Sequence, residues 1–170
     1  MKMETIQLKF KDDGIIPNSP LPLIIYKNVF SEEKADPHFI TQHFADRNWS
    51  NSWKNGVYDY HHYHSNTHEV MGVYSGYATL LFGGENGDAI SIEEGDAVAI
   101  PAGVGHKLVQ ASNDFGVIGA YPDGKEYDLM KGKEEEHSQA LENISKVPLP
   151  ENDPIYGKME GLTALWREKK

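Results

Sequence analysis

Three histidines and a glutamate, His62, His64, Glu69 and His106, fall in two short stretches whose residue types suit a divalent metal. The first runs from Gly56 through His62, Tyr63, His64 and Glu69 to Gly76, and the second from Gly95 through Pro101 and Gly103 to His106. Side chains two apart on a β-strand point to one face, so His62 and His64 are expected side by side. A tight turn through Ser65, Asn66 and Thr67 would bring Glu69 back on the next strand, with His106 arriving from elsewhere in the fold. Imidazole and carboxylate together suit first-row ions such as zinc, iron, manganese, nickel and copper. Three neutral imidazoles and one carboxylate would leave a divalent ion with a net charge of about +1 and one or two open positions. Such an open centre polarises an oxygen ligand, acidifies bound water or holds a chelating substrate, unlike a closed structural tetrahedron.

The neighbouring residues are placed by the same parity. His61 and His68 should point outward, although a bulge in the turn would exchange His68 for Glu69. Tyr58 and Tyr60 share the face of His62, Met71 and Val73 that of Glu69, and Leu108 and Gln110 that of His106. The expected pocket is apolar and phenolic. Tyr58 and Tyr60 are the candidate proton donors in it, set against a plain role as aromatic wall. The remaining histidines, His38, His43 and His137, are read as surface or satisfied core residues.

The elements that must position these groups are short strands. Between residues 56 and 121, apolar-alternating runs cover Tyr58–His64, Glu69–Tyr74, Ala78–Phe82, Ala89–Ile92, Ala97–Ile100, Lys107–Val109 and Phe115–Tyr121. Glycine-bearing turns separate them, a pattern of all-β sandwiches and barrels. Asn86-Gly87 predicts a type I′ hairpin turn and Glu94-Gly95 a second turn. Upstream, Met1–Phe10 and Leu23–Val29 read as extended, and Asp36 and Pro37 open a helix with Phe39, Ile40 and Phe44 on one face. Downstream, residues 131 to 145 predict one short helix starting near Glu134-Glu135-Glu136. The tail, bearing Trp166, is too short and polar for a core of its own and is expected to lie across the barrel or a partner subunit. The chain thus reads as one domain over residues 1–170, with a core at about 56–121 flanked by a 1–55 N-terminal part and a 122–170 extension.

Taken together, the two stretches resemble the paired motifs of the cupin superfamily. Gly56, His62, His64, Glu69 and Gly76 match the first motif, and Gly95, Pro101, Gly103 and His106 the second. Gln110 stands where that family usually has Asn, at a position that is not normally a ligand. The His-Tyr-His-Ser segment and long C-terminal extension are similar to those of little-characterised single-domain bacterial cupins. The resemblance implies an all-β, small jelly-roll barrel with a few peripheral helices. It further implies one divalent transition metal (Fe, Mn, Ni or Zn) on His62, His64, Glu69 and His106. Oxygenase, isomerase and decarboxylase chemistry on a small organic molecule all fit, as does a non-catalytic barrel that binds or senses a small ligand.

Composition narrows the partners. The net charge of −10 argues against nucleic acid and anionic membranes. Only Arg47 and Arg167 are arginines, which disfavours phosphorylated substrates that need several cationic contacts. There is no cysteine, hence no disulfide, no thiol nucleophile and no thioether-linked cofactor. No apolar run approaches the length of a membrane span and no signal-peptide block is seen, so a cytoplasmic location is expected. Single cupin barrels commonly pair, so a homodimer is expected too.

Overall fold

Strands dominate the computed structural model, which describes residues 5–158 and 160–168. In chain order these are β1 (Thr5–Phe10), β2 (Ser19–Tyr26), helix α1 (Pro37–Ala45), β3 (Trp49–Asn55), β4 (Glu69–Ser75) and β5 (Tyr77–Phe82). They continue with β6 (Asp88–Glu93), β7 (Ala97–Ile100), β8 (His106–Ala111) and β9 (Gly116–Pro122). A 3-10 turn (Glu134–Glu136) then leads into α2 (His137–Ser145), a small hairpin of β10 (Asn152–Asp153) and β11 (Gly157–Lys158), and α3 (Leu162–Glu168). The strand expected for Met1–Phe10 is seen from Thr5, its first four residues lying outside those described.

A six-stranded sheet in the order β1-β2-β7-β4-β9-β3 faces a three-stranded sheet in the order β6-β5-β8, all pairs antiparallel. The interior between them is filled by Leu23, Ile25, Met71, Val73, Val98 and Val117 from the large sheet and Ala78, Leu80, Phe82 and Ile92 from the small one. The large sheet is buried on its outer face as well. There Ile24, Tyr26, Ala97, Ala99 and Ile118 meet Ile40 and Phe44 of α1 and Leu162 and Trp166 of α3. Burial on both faces explains why β2 and β7 read as unbroken apolar runs, whereas β5, covered on one face, alternates. Helix α1 starts as its sequence predicts: the Asp36 carboxylate accepts the Phe39 N–H at 2.9 Å. Trp166 fixes the tail to the outer face, its indole N–H donating to the Pro22 carbonyl at 2.8 Å.

Three local expectations are corrected. The run Tyr58–His64 is not a regular strand but an extended segment with isolated bridges, His62 to His106 and Tyr63 to Met130. The β5–β6 connection is not a two-residue turn at Asn86-Gly87, because Phe82 pairs with Asp88 and the positive φ angles fall on Gly83 and Gly84. In β8, Leu108 pairs with Leu80 but Gln110 with Thr79, so Val109 is an extra, bulged residue. The bulge reverses parity beyond it, and Gln110 faces solvent instead of the interior.

Candidate metal centre

The four motif residues converge at one end of the inter-sheet interior. His62 and His106 exchange both backbone hydrogen bonds, at 3.2 and 2.9 Å, so they are directly opposite in an antiparallel pair. Opposed residues share a face, and the two rings lie 4.0 Å apart between centroids. His64, two residues on, projects the same way. Glu69 opens β4, opposite Ile100 of β7, whose continuation through Pro101 and Gly103 carries the chain to His106. Gly103 has φ +97°, and a Cβ there would come 2.4 Å from the Asn18 carbonyl oxygen, so the turn admits only glycine. Its N–H donates to the His64 carbonyl at 2.8 Å, tying the two motifs together.

Both His64 Nε2 and His106 Nε2 lie 3.4 Å from Glu69 Oε1. The donor atoms of these three residues all fall within 4.8 Å of one another. Donors bound to a first-row ion at about 2.0–2.2 Å sit roughly 3.0–3.5 Å from their neighbours, a range into which both 3.4 Å Glu69–histidine distances fall. His62 is beside this set of three, against His106. Glu69 Oε1 is buried and has no hydrogen-bond partner among the described residues. A buried carboxylate oxygen left bare costs about 1–3 kcal/mol or more, which a cation would recover.

Each of the three imidazoles is fixed in orientation by its Nδ1, and those of His64 and His106 present Nε2 to that oxygen. The Nδ1–H of His62 donates to the Tyr60 carbonyl at 3.0 Å, that of His64 to the Asp128 carbonyl at 2.5 Å and that of His106 to the Val104 carbonyl at 3.2 Å. A carbonyl only accepts, so all three rings keep Nε2 free of a proton when neutral, the tautomer a metal needs. Burial first, and then the neighbouring His106 imidazole, push His62 down to about 3. For Glu69, burial acts upward, but His64 and His106 outweigh it and hold the carboxyl well below its usual range. Burial acts downward on His64, yet Glu69 and the Asp128 carbonyl raise it above its ordinary value. A proton and a metal ion therefore compete for the same place, and metal uptake would release protons. The donor set and its second partners fit a divalent transition metal.

Parity did not reveal everything around these four. Tyr121 of β9 donates its hydroxyl proton to Glu69 Oε2 at 2.9 Å and accepts the Trp53 indole N–H at 2.7 Å. The extension adds Tyr127, stacked on Tyr121 with centroids 4.7 Å apart, and Asp128, whose carboxylate also accepts from Ser65 N–H and Oγ–H. Tyr121 was legible in principle, since Val117 faces the interior and every second residue of β9 follows it. Tyr127 and Asp128 sit in an irregular segment with no periodicity to read.

Of the other candidates, Tyr58 lines the cavity but is 52% exposed, and Tyr60 stacks on it at 5.0 Å and is not among the lining residues. Both pack edge-on against the His62 ring. His61 pairs with Glu85 at 2.7 Å. His68 points away from the centre, as parity requires, but it is buried instead of outward-facing: Trp166 and the 148 region cover it. Its Nδ1 accepts the Ala102 N–H, so it has no free donor to substitute for Glu69.

The facing sheets and the paired His/Glu motif define a cupin. No protein-family model matches the chain. It is 48% identical over 167 residues to the uncharacterised protein YjlB of Bacillus subtilis (strain 168), covering 98% of this chain and 99% of that one. The chain belongs to the YjlB family of cupins. Among solved structures it is similar to an acireductone dioxygenase from Bacillus anthracis with a cadmium ion in its active centre: 16% identity, 64% of this chain, 82% of that one, TM-score 0.45. It is also similar to a mutant of Bacillus subtilis oxalate decarboxylase OxdC, with 19% identity over 65% of this chain and a TM-score of 0.39. The match spans only 27% of the OxdC chain.

Proposed function

We propose that the chain is a metal-dependent enzyme acting on a small organic molecule that binds directly to one divalent transition metal (Fe, Mn, Ni or Zn). His64, Glu69 and His106 would hold the ion, with His62 completing the set. The bare, buried Glu69 Oε1 between two imidazole nitrogens carries this reading. When bound, such an ion supplies Lewis acidity toward a substrate or water oxygen.

The chain's own residues supply the rest. A cavity of about 160 Å³ opens onto the four motif residues, walled by Trp53, Val57, Tyr58, Met71, Tyr121 and Tyr127. This is below the ~300–1,000 Å³ of drug-sized ligand sites, so a compact substrate fits best. Lys54 also borders it, but its ammonium sits over the Tyr74 ring, so the walls present no committed cation for a phosphate. Tyr121 has its proton committed to Glu69, which leaves Tyr58 and Tyr127 as the phenols able to hand a proton to a bound oxygen, with Tyr60 one layer behind Tyr58. We read the protein as a cytoplasmic homodimer. The support is the cysteine-free composition and the outer edge of β1, which has no strand partner among the described residues.

A second reading, a non-catalytic barrel that senses a metal-docked ligand, is favoured by the same committed proton on Tyr121. The test is metal analysis of tag-free protein purified without chelator, followed by oxygen-uptake and product screens on the loaded form. Near one equivalent of metal with turnover supports the enzyme. A ligand that copurifies unchanged, with no turnover, supports the sensor. No metal, and none taken up on reconstitution, overturns both.

A further inference from the structure

Tyr121 and Trp53 form a directed chain that ends on the carboxylate of the candidate metal centre. An indole nitrogen only donates, so the Trp53 bond to the Tyr121 hydroxyl fixes which way the phenol proton points. The Tyr121 hydroxyl donates it to Glu69 Oε2, 2.9 Å away, while Oε1 alone faces the Nε2 atoms of His64 and His106. The approach is close by construction: a Cβ on Gly119, two residues before Tyr121, would come 2.2 Å from the Trp53 ring. Tyr121 is itself buried, at 1% exposure, so the bond to Glu69 is shielded from competing water.

A carboxylate binds a cation through one oxygen or both. The geometry points to Trp53 and Tyr121 as a positioning pair that keeps Glu69 a one-oxygen ligand, so that a coordination position stays open for the substrate. This rests on the metal reading above. Without the phenol, Oε2 has no fixed partner and is free to close on the ion, filling the position that a substrate would need.

Water-proton relaxation of the protein loaded with Mn(II) alone, normalised to bound manganese, counts the exchangeable waters on the ion. Tyr121→Phe should bind Mn(II) stoichiometrically yet lose about half or more of the inner-sphere relaxivity, as one of one or two open positions closes. Trp53→Phe should shift it in the same direction by less, because the phenol is loosened and not removed. A purely structural role would lower the melting temperature and leave relaxivity per ion unchanged. Parental relaxivity in both fully loaded variants overturns the inference while the metal centre stands. If Tyr121→Phe does not fold, Trp53→Phe decides by the same readout. A parent that takes up no Mn(II) overturns the metal reading and this inference with it.

Discussion

The two layers that meet where the chain enters β4 treat buried polar groups in opposite ways. His68 and Glu69 are adjacent and nearly inaccessible, at 2% exposure each, but they face different layers. On the outer face every polar atom of His68 is matched: Nδ1 accepts the Ala102 N–H at 2.9 Å, and Nε2–H donates to the Pro148 carbonyl at 3.2 Å. Nearby Asp153, fully buried, accepts from the Tyr26 hydroxyl and from the backbone N–H groups of Ile155, Tyr156 and Leu162. On the inner face Glu69 has one oxygen satisfied by Tyr121 and one bare. Folding alone would favour satisfying both. A buried acceptor left open between two free imidazole nitrogens is a place kept for something outside the chain.

That contrast can be broken most forcefully from the outer side. Trp166→Ala removes a fully buried indole that covers His68, and should destabilise the fold by about 3–5 kcal/mol in denaturant melts. Metal stoichiometry of the folded fraction should be unchanged. If metal is lost with it, the two faces are not independent. From the inner side, His106→Ala should weaken metal binding by more than about a hundredfold, or roughly 3 kcal/mol, read by competition with a chelating dye. Its melting temperature in chelator should fall less than that of Trp166→Ala.

The pH dependence of stability separates the faces more finely. Burial lowers His68 to about 4, from an ordinary value of 6.5. Its charged form is disfavoured only in the folded state. Its contribution is therefore complete above pH 6.5 and is lost as pH falls toward 4. Between pH 7 and 5 that loss is about 2 kcal/mol. Metal-free parent protein should show it, and a His68→Gln variant should have a curve flatter by that amount. Parallel curves would mean that water reaches His68. The smallest effect is expected for Tyr60→Phe, which should leave turnover on any identified substrate within about twofold, because Tyr60 stacks behind Tyr58. A larger loss would restore Tyr60 as a proton donor.

How far the sequence could be read follows from where periodicity holds. The two-residue period put His62 and His64 on one face and His68 opposite Glu69, because backbone geometry alone fixes it. It failed at Gln110, where the Val109 bulge inserts a residue that no composition signal marks. The turn preference of the Asn86-Gly87 pair misled for another reason: Gly83 and Gly84 take the positive φ angles instead. There the chain passes so close to Phe10 that a Cβ on Gly83 would lie 2.3 Å from its ring. Such a contact joins residues some seventy positions apart, and no local pattern carries it. The fold class was legible from the spacing of strands and turns; the partners of Glu69 and His64 were not, since they depend on which distant segments meet.

The bond from His64 to the Asp128 carbonyl has a consequence for what counts as the working unit. All four motif residues lie within the strand-rich core, yet the atom that sets the ring orientation of one of them belongs to the segment that follows β9. A version cropped after the last long strand would retain every motif letter and lose that tether, together with the Ser65 clamp on the same aspartate. Minimal-barrel engineering and grafting of the paired motifs onto other scaffolds would thus reproduce the text of the centre without its grammar. By the same coupling, an ion seated on His64 should quiet the far extension, making hydrogen exchange around residue 128 a remote gauge of occupancy.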